Sequence, residues 1–308
     1  VTFRMIDDGS DRERWLDRRT GGVSATDAAR IMTGGATGWA SLRAEKATGR
    51  SFGGNMATRH GREREEVIAA FAEHEFGLIP STALLAHGEL TTDLATPDAL
   101  SLPYAQPFNI PEEDGLALGV EYEVEEFGEY KTTVKDWPTR NDIPARYFWQ
   151  IVWQFHVTGA RRCRFVFEPH VDFVPIYMQP RVFTFERHEV EDEIEKAIAR
   201  VGEWRSADLE ELPEEFLELD DLVTAHTRAK ESAEAAQAVV DELAERIRPL
   251  LKEFGRPFEG SEAVASLGAE GTRTSFNRKA FEARFPHVAK KFITETTAKG
   301  RLSITARS

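Results

Sequence analysis

The sequence predicts a mixed α/β core, of the α+β kind, with a central mixed sheet flanked by helices and a long helical extension behind it. Three observations carry this expectation. Apolar residues recur at helical spacing before and after the middle of residues 1–204, short alternating runs between them have the two-residue period of strands, and a four-three apolar spacing runs from Leu222 to Phe254.

In chain order, Ser24 precedes the apolar stretch Ala28, Ala29, Ile31 and Met32, with Asp27 three residues after it. This arrangement resembles a capping box and predicts a helix starting just after Ser24. Residues 58–76 place Val67, Ile68, Phe71 and Ala72 on one helical face and end at Gly77, a residue suited to a left-handed cap. Residues 89–96, 117–125 and 128–134 read as strands, the second alternating around Val120, Tyr122 and Val124. A helix rich in aromatic residues is expected over 145–158, stopped by Gly159. Strands follow at 164–167 and 174–178, then a helix over 188–204. Beyond it, Leu222, His226, Ala229, Ala233, Ala236, Val240, Leu243, Ile247, Leu250 and Phe254 form one seam of a long helix, kinked near its end by Pro249. The expected domains are 1–210 and 211–308.

A chain of 308 residues buries a full core, and no apolar run is long enough to span a membrane. Residues 1–19 lack the apolar centre of a secretory signal, so a cytoplasmic location is expected. The single cysteine, Cys163, excludes a disulfide within the chain and a cysteine-only metal or cluster site, and reads as a small buried residue beside a strand. The net charge of -14 disfavours nucleic acid at first sight, but it is unevenly spread. Residues 271–308 carry nine basic against two acidic side chains, a segment at +7 in a chain otherwise at -21. Such asymmetry fits a basic surface offered to a polyanion, and equally a solvated tail.

The candidate chemistry lies at Asp98, after Thr96 and Pro97, and at Glu129-Tyr130-Lys131. Residues two apart on a strand share a face, so Glu129 and Lys131 project together. Phosphodiester hydrolysis needs carboxylates to hold a divalent metal and a cation beside the attacking water and the charged transition state. Asp98, Glu129 and Lys131 supply those types. Glu121, Glu123, Glu125 and Glu126 lack a lysine two residues on and read as solvated strand or turn charges. His60 and His156 read as helix-surface or core residues, not ligands.

Thr96-Pro97-Asp98, then Glu129-Tyr130-Lys131, then Gln150 on the following helix resemble the PD-(D/E)xK nucleases in order and element type. Gly61-Arg62-Glu63-Arg64-Glu65 is similar to that class's glycine-led helical motif. Trp15 with Arg18-Arg19, Ser24, Thr26 and Asp27, together with Gln150 through Val157-Thr158-Gly159, is similar to the phage lambda exonuclease and YqaJ recombinase branch. The resemblance covers about residues 15–204. One departure is the interval of 31 positions between Asp98 and Glu129, where a Pro-rich stretch, 101–115, looks inserted in a loop.

The resemblance implies a restriction-endonuclease-like core and a 5′ to 3′ double-strand DNA exonuclease that leaves 3′ single strands for recombination. Asp98 and Glu129 are implied as ligands of Mg²⁺, or Mn²⁺, with the Tyr130 carbonyl as a further ligand and Glu65 holding a second metal or its waters. Lys131 positions the nucleophilic water and Gln150 braces Lys131 or that water, while Arg19, Ser24 and Thr26 form a pocket for a terminal phosphate. Implied partners are double-stranded DNA ends, a single-strand annealing protein and further copies in a ring, a trimer foremost, in a phage or prophage setting. Two other classes stay open at this point: an endonuclease of restriction or repair type, and a non-catalytic DNA-end scaffold.

Overall fold

Glu126–Thr133 and Arg162–Val171 form a parallel strand pair, which demands a crossover connection, and the helix Ala145–Thr158 supplies it. The computed structural model containing this unit describes residues 2–48, 56–101, 121–171, 173–210, 219–261, 263–268 and 276–289, with backbone alone at 56–63, 121–122 and 220–221. Its elements are β1 (Phe3–Asp7), α1 (Arg12–Thr20), α2 (Ala25–Thr33), α3 (Ala36–Thr48), α4 (Met56–Phe76), β2 (Ile79–Pro80), β3 (Leu84–His87), β4 (Leu94–Ala95), β5 (Ala99–Ser101), β6 (Glu121–Tyr122) and β7 (Glu126–Thr133). There follow α5 (Ala145–Thr158), β8 (Arg162–Val171), β9 (Val174–Pro175), β10 (Arg181–Glu186), α6 (Glu191–Ser206), α7 (Leu219–Phe254), β11 (Phe258–Glu259), β12 (Val264–Ala265), α8 (Arg278–Arg284) and α9 (Pro286–Ala289).

The mixed α/β class is as expected. The central sheet runs β10-β8-β7-β5-β2, mixed because only β7 and β8 are parallel, with β9 added to β8. A second, antiparallel sheet runs β4-β3-β1-β6. Strand alternation sorts the central core into two layers. Phe127, Phe165 and Phe167 pack with Ile151, Val152 and Phe155 of α5, whereas Tyr130 and Val166 pack with Ile68, Ala69 and Ala72 of α4. β8 is therefore buried on both faces along most of its length, with Phe165-Val166-Phe167 at its centre. Cys163 lies inside it, fully buried, and burial pushes its thiol pKa up, away from reactivity.

Local signals located the helices well. Ser24 caps α2, its side chain accepting from the Asp27 N–H while the Asp27 carboxylate accepts from the Ser24 N–H. α4 ends at Gly77 (φ +67°) and α5 at Gly159 (φ +68°), both left-handed as the glycines suggested. Strand bounds moved more. Residues 89–92 turn instead of extending, because His87 Nδ1 accepts from the N–H groups of Glu89 and Leu90 and closes a hairpin between β3 and β4. The strand expected over 174–178 stops at Pro175. The helix expected from residue 188 starts at Glu191 after a short 3-10 turn. β1, β3 and β10 were not anticipated. α7 continues through Pro249 to Phe254. Residues 102–120, where the insertion was expected, and most of the basic segment 271–308 lie outside the described residues.

The chain divides into two compact units between Ala235 and Ala236, within α7. In the second unit, rings pair as Phe254 with Phe258 and as Phe276 with Phe281 and then Phe285. In the first, Trp204 at the end of α6 donates from its indole to the Trp39 carbonyl at 3.1 Å, tying α6 to α3.

α4 is anchored to the sheet by one buried ion pair. Arg64 forks onto both oxygens of Glu168 of β8 at 2.7 and 2.6 Å, and Glu168 is buried. Removing the arginine strands a carboxylate out of water, so Arg64→Ala is expected to cost about 3 kcal/mol of unfolding free energy. Arg161→Ala breaks a pair with Glu125 that stands in solvent, and it should change stability by under about 0.5 kcal/mol. Urea denaturation of both variants checks this. Equal losses would mean that the Arg64 fork is not the anchor.

Candidate active site

β7 reads Glu126-Phe127-Gly128-Glu129-Tyr130-Lys131, and its pleat turns Glu129 and Lys131 to the α5 side. β5 lies antiparallel to β7 with Ala99 opposite Gly128, so the residue before it, Asp98, arrives beside Glu129. Two backbone-mediated contacts hold it there: the Asp98 N–H donates to the Gly128 carbonyl at 3.0 Å, and the Tyr130 N–H donates to Asp98 Oδ2 at 2.6 Å. Gly128 is needed because the Tyr130 ring folds back over it. A Cβ at that position would stand 2.8 Å from Tyr130 Cε1.

Lys131 Nζ donates to Glu129 Oε1 and, at 2.9 Å, to the Tyr130 carbonyl, with its ammonium 5.6 Å from the Tyr147 ring centre. Glu129 is buried, whereas Asp98 and Lys131 keep partial exposure, so the cluster opens at one side. Burial, and then the facing Glu129 carboxylate, push the Asp98 pKa up to about 8. Burial alone would lower the Lys131 pKa, but the charges of Glu129 and Asp98 outweigh it and hold the ammonium above its ordinary range. At neutral pH the site thus contains a firm cation and a carboxyl pair that retains a proton.

The other expected residues fall less evenly. Glu65 is exposed on α4, near enough for its charge to raise the Asp98 pKa, yet no group of three or more Asp, Glu, His or Cys side chains gathers as a metal cluster among the described residues. Gln150 lies half-exposed on α5, and the amide that reaches Glu129 belongs to Gln154, one turn later, at 2.6 Å. Gln154 was missed, because its burial is visible only in the structure. Residues 151–158 are all buried, and a polar side chain in such a run must find a partner. His156 is a core residue, paired with buried Asp93 at 2.8 Å and stacked on His87. His60 lies where side chains are not described. Among the rival glutamates, Glu126 pairs with Arg162 and Arg164, and Glu125 with Arg161.

At the second pocket, Arg19 donates to Ser24 Oγ at 3.1 Å and covers the Trp15 ring, while Thr26 is exposed on the first turn of α2. Lys46 of α3, unmarked in the sequence, reaches Asp27 Oδ2 at 2.8 Å and the Gly22 carbonyl at 2.5 Å. Burial raises the Asp27 pKa, but Lys46 and Arg19 together bring it below the ordinary carboxylate value. Two cations and one carboxylate therefore surround a helix N-terminus. Trp153 of α5 links this pocket to the first. Its indole donates to the carbonyls of Val23 and Leu94, each at 3.1 Å, and the next residue, Gln154, holds Glu129.

Asp98 and Glu129, with the Tyr130 carbonyl beside them, present hard oxygen donors whose adjacent charges disfavour each other until a cation intervenes, which fits a divalent metal. Residues 14–161 match the YqaJ-like viral recombinase domain. Comparison with curated proteins finds no match. Among solved structures, the chain is similar to an alkaline exonuclease (LHK-Exo) from Laribacter hongkongensis, at 25% identity over 63% of this chain and 93% of that one, with a TM-score of 0.44. It is similar to LHK-Exo in complex with dAMP at 24% identity over the same shares, also with a TM-score of 0.44. A phage-related exonuclease from Haemophilus somnus is 12% identical over 59% of this chain and 92% of that one, with a TM-score of 0.41.

The raised Asp98 pKa has a sign that can be measured. A carboxyl whose folded pKa exceeds its unfolded value stabilises the metal-free fold at low pH, and that stability declines as pH rises from about 4 toward 8. A bound cation requires the charged form. Mn²⁺ binding at pH 7 should therefore release about one proton, and release should fade above pH 9. Calorimetry in buffers of different ionisation enthalpy checks this, with Asp98→Asn as the control that should show no release.

Proposed function

We propose that this chain, which carries a YqaJ-like viral recombinase domain over residues 14–161, is a divalent-metal-dependent exonuclease that shortens duplex DNA from 5′-phosphorylated ends and leaves 3′ single strands. The observation that carries the reading is the meeting of Asp98, Glu129 and Lys131 at one opening, on strands that the sequence separates widely. The domain match supports nuclease activity. The Arg19, Ser24 and Lys46 pocket supports the terminal phosphate.

In hydrolysis the oxygen of water bonds to phosphorus as the bond to the 3′ oxygen breaks, releasing a 5′-phosphorylated nucleotide. A divalent ion held by Asp98, Glu129 and the Tyr130 carbonyl would supply Lewis-acid activation of the water and neutralise the phosphoryl charge. In the metal-free site Glu129 and Asp98 favour the ammonium form of Lys131, which suits it to act as hydrogen-bond donor and counter-charge toward the water and the developing negative oxygens. Arg19 and the α2 N-terminus hold the terminal phosphate. Trp153 and Gln154 set its distance from Glu129, so end binding and cleavage are geometrically coupled. The same reading includes a ring-like homo-oligomer, a trimer foremost, and a single-strand annealing protein as partner.

Digestion of linear and circular duplexes with Mg²⁺ or EDTA tests the reading: loss of linear DNA alone, in Mg²⁺ alone, is expected. Cutting of circles would point to an endonuclease, and binding without cleavage to a scaffold. Lys131→Ala should lower single-turnover cleavage by about 100-fold or more while duplex binding in EDTA stays near normal. Near-normal cleavage by that variant would remove Lys131 from the chemistry.

Polarity is tested separately, on duplexes that differ only in phosphorylation of one 5′ end. Wild type should digest the phosphorylated end faster by about tenfold or more, the value of a charge-assisted contact, and Arg19→Ala should remove most of that preference with Mn²⁺ affinity unchanged. Shortening from the 3′ end, or indifference to the phosphate, would mean that the pocket is only a helix cap.

A further inference from the structure

The amide of Gln154 is half used. The side chain is 2% exposed, its Nε2 donates to Glu129 Oε2 at 2.6 Å, and its Oε1 is buried with no hydrogen-bond partner. The orientation follows from chemistry, because an ionised carboxylate only accepts. The NH₂ group must face Glu129, and the carbonyl oxygen turns the other way. A buried carbonyl oxygen without a donor is rare in a native fold and points to a group not yet in place.

The neighbours define that group. Lys131 already serves Glu129 Oε1 and the Tyr130 carbonyl, and Asp98 accepts from the Tyr130 N–H. The carboxylates of the site can only compete with Gln154 Oε1 for donors. No described residue donates to this oxygen, so the missing partner must donate and must be small. Water has those properties, and a hydrated divalent cation brings water to this place.

We infer that Gln154 is a positioning residue, fixing the Glu129 carboxylate with one end of its amide and taking a hydrogen bond from a cation-borne water with the other. The inference rests on the metal-nuclease reading and adds to it a residue outside the Asp98, Glu129 and Lys131 set. Gln150, one turn earlier and half-exposed, does not hold this position.

Two variants of the full chain test it. Gln154→Met keeps the length and removes both hydrogen bonds, and Gln154→Asn keeps an amide but retracts it by one methylene. Calorimetric titration with Mn²⁺ in the absence of DNA should show affinity weakened by about tenfold or more in each, as for the loss of other residues that orient metal ligands. On a 5′-phosphorylated duplex kcat should fall while KM holds. Wild-type Mn²⁺ affinity and kcat in either folded variant overturns the inference. If the Met variant does not fold, the Asn variant carries both measurements, and failure of both to fold in EDTA would assign Gln154 to the fold alone. A wild type that neither binds Mn²⁺ nor cleaves DNA sinks the metal-nuclease reading itself, whereas a wild type that does both, matched by its variants, sinks only the role of Gln154.

Discussion

Two carboxyl groups held side by side, mostly out of water, are the constraint from which the rest of the site follows. Burial, and then the neighbouring Glu129 charge, push the Asp98 pKa up to about 8. The fold sustains the arrangement with groups that cannot move away. A backbone N–H faces Asp98, a neighbouring lysine faces one Glu129 oxygen and a helix amide faces the other. Each of these also limits the chemistry. In the metal-free site the charges of Glu129 and Asp98 outweigh burial and hold the Lys131 ammonium above its ordinary range.

α5 is the element on which the two pockets depend. It fills the crossover between the parallel strands, packs its aliphatic and aromatic side chains on Phe127, Phe165 and Phe167, and contributes consecutive polar contacts to separate places. Trp153 closes the carbonyls ahead of the α2 cap and at the end of β4, Gln154 meets Glu129, and His156 meets Asp93, which Arg205 of α6 also engages. A shift of this helix would displace both pockets together. Its burial over residues 151–158 and its left-handed cap at Gly159 leave it little freedom to shift.

Several buried or half-buried glutamates of the sheet layers are paired with arginines. Glu168 is met by both guanidinium nitrogens of Arg64, which docks α4. Glu126 joins Arg162 and Arg164 where β7 and β8 begin, and Glu186 of β10 joins the first of these. Glu126, which read as a solvated charge in the sequence, thus acts as a cross-strand tie. The Arg64 of the glycine-led motif is a structural anchor as much as a neighbour of the site.

By itself the sequence determined what depends on neighbours along the chain. The cap at Ser24, the glycine stops at Gly77 and Gly159, the helix over residues 145–158 and the shared face of Glu129 and Lys131 all follow from period and capping, which act within a few residues. The pairing of Asp98 with Glu129 could be expected from a family resemblance, but its geometry came from the β5–β7 register, which joins strands across an interval of 31 positions. Only the tertiary structure put Gln154 against Glu129, brought Lys46 to Asp27 and, among the described residues, left Glu65 outside any three-group cluster. The physical reason is angular. A helix turns by about 100° per residue, so which of two amides one turn apart meets a given carboxylate depends on how the helix is rolled and advanced over the sheet. That placement is set by the packing of Phe155, Trp153 and their neighbours against distant strands, and no local pattern encodes it.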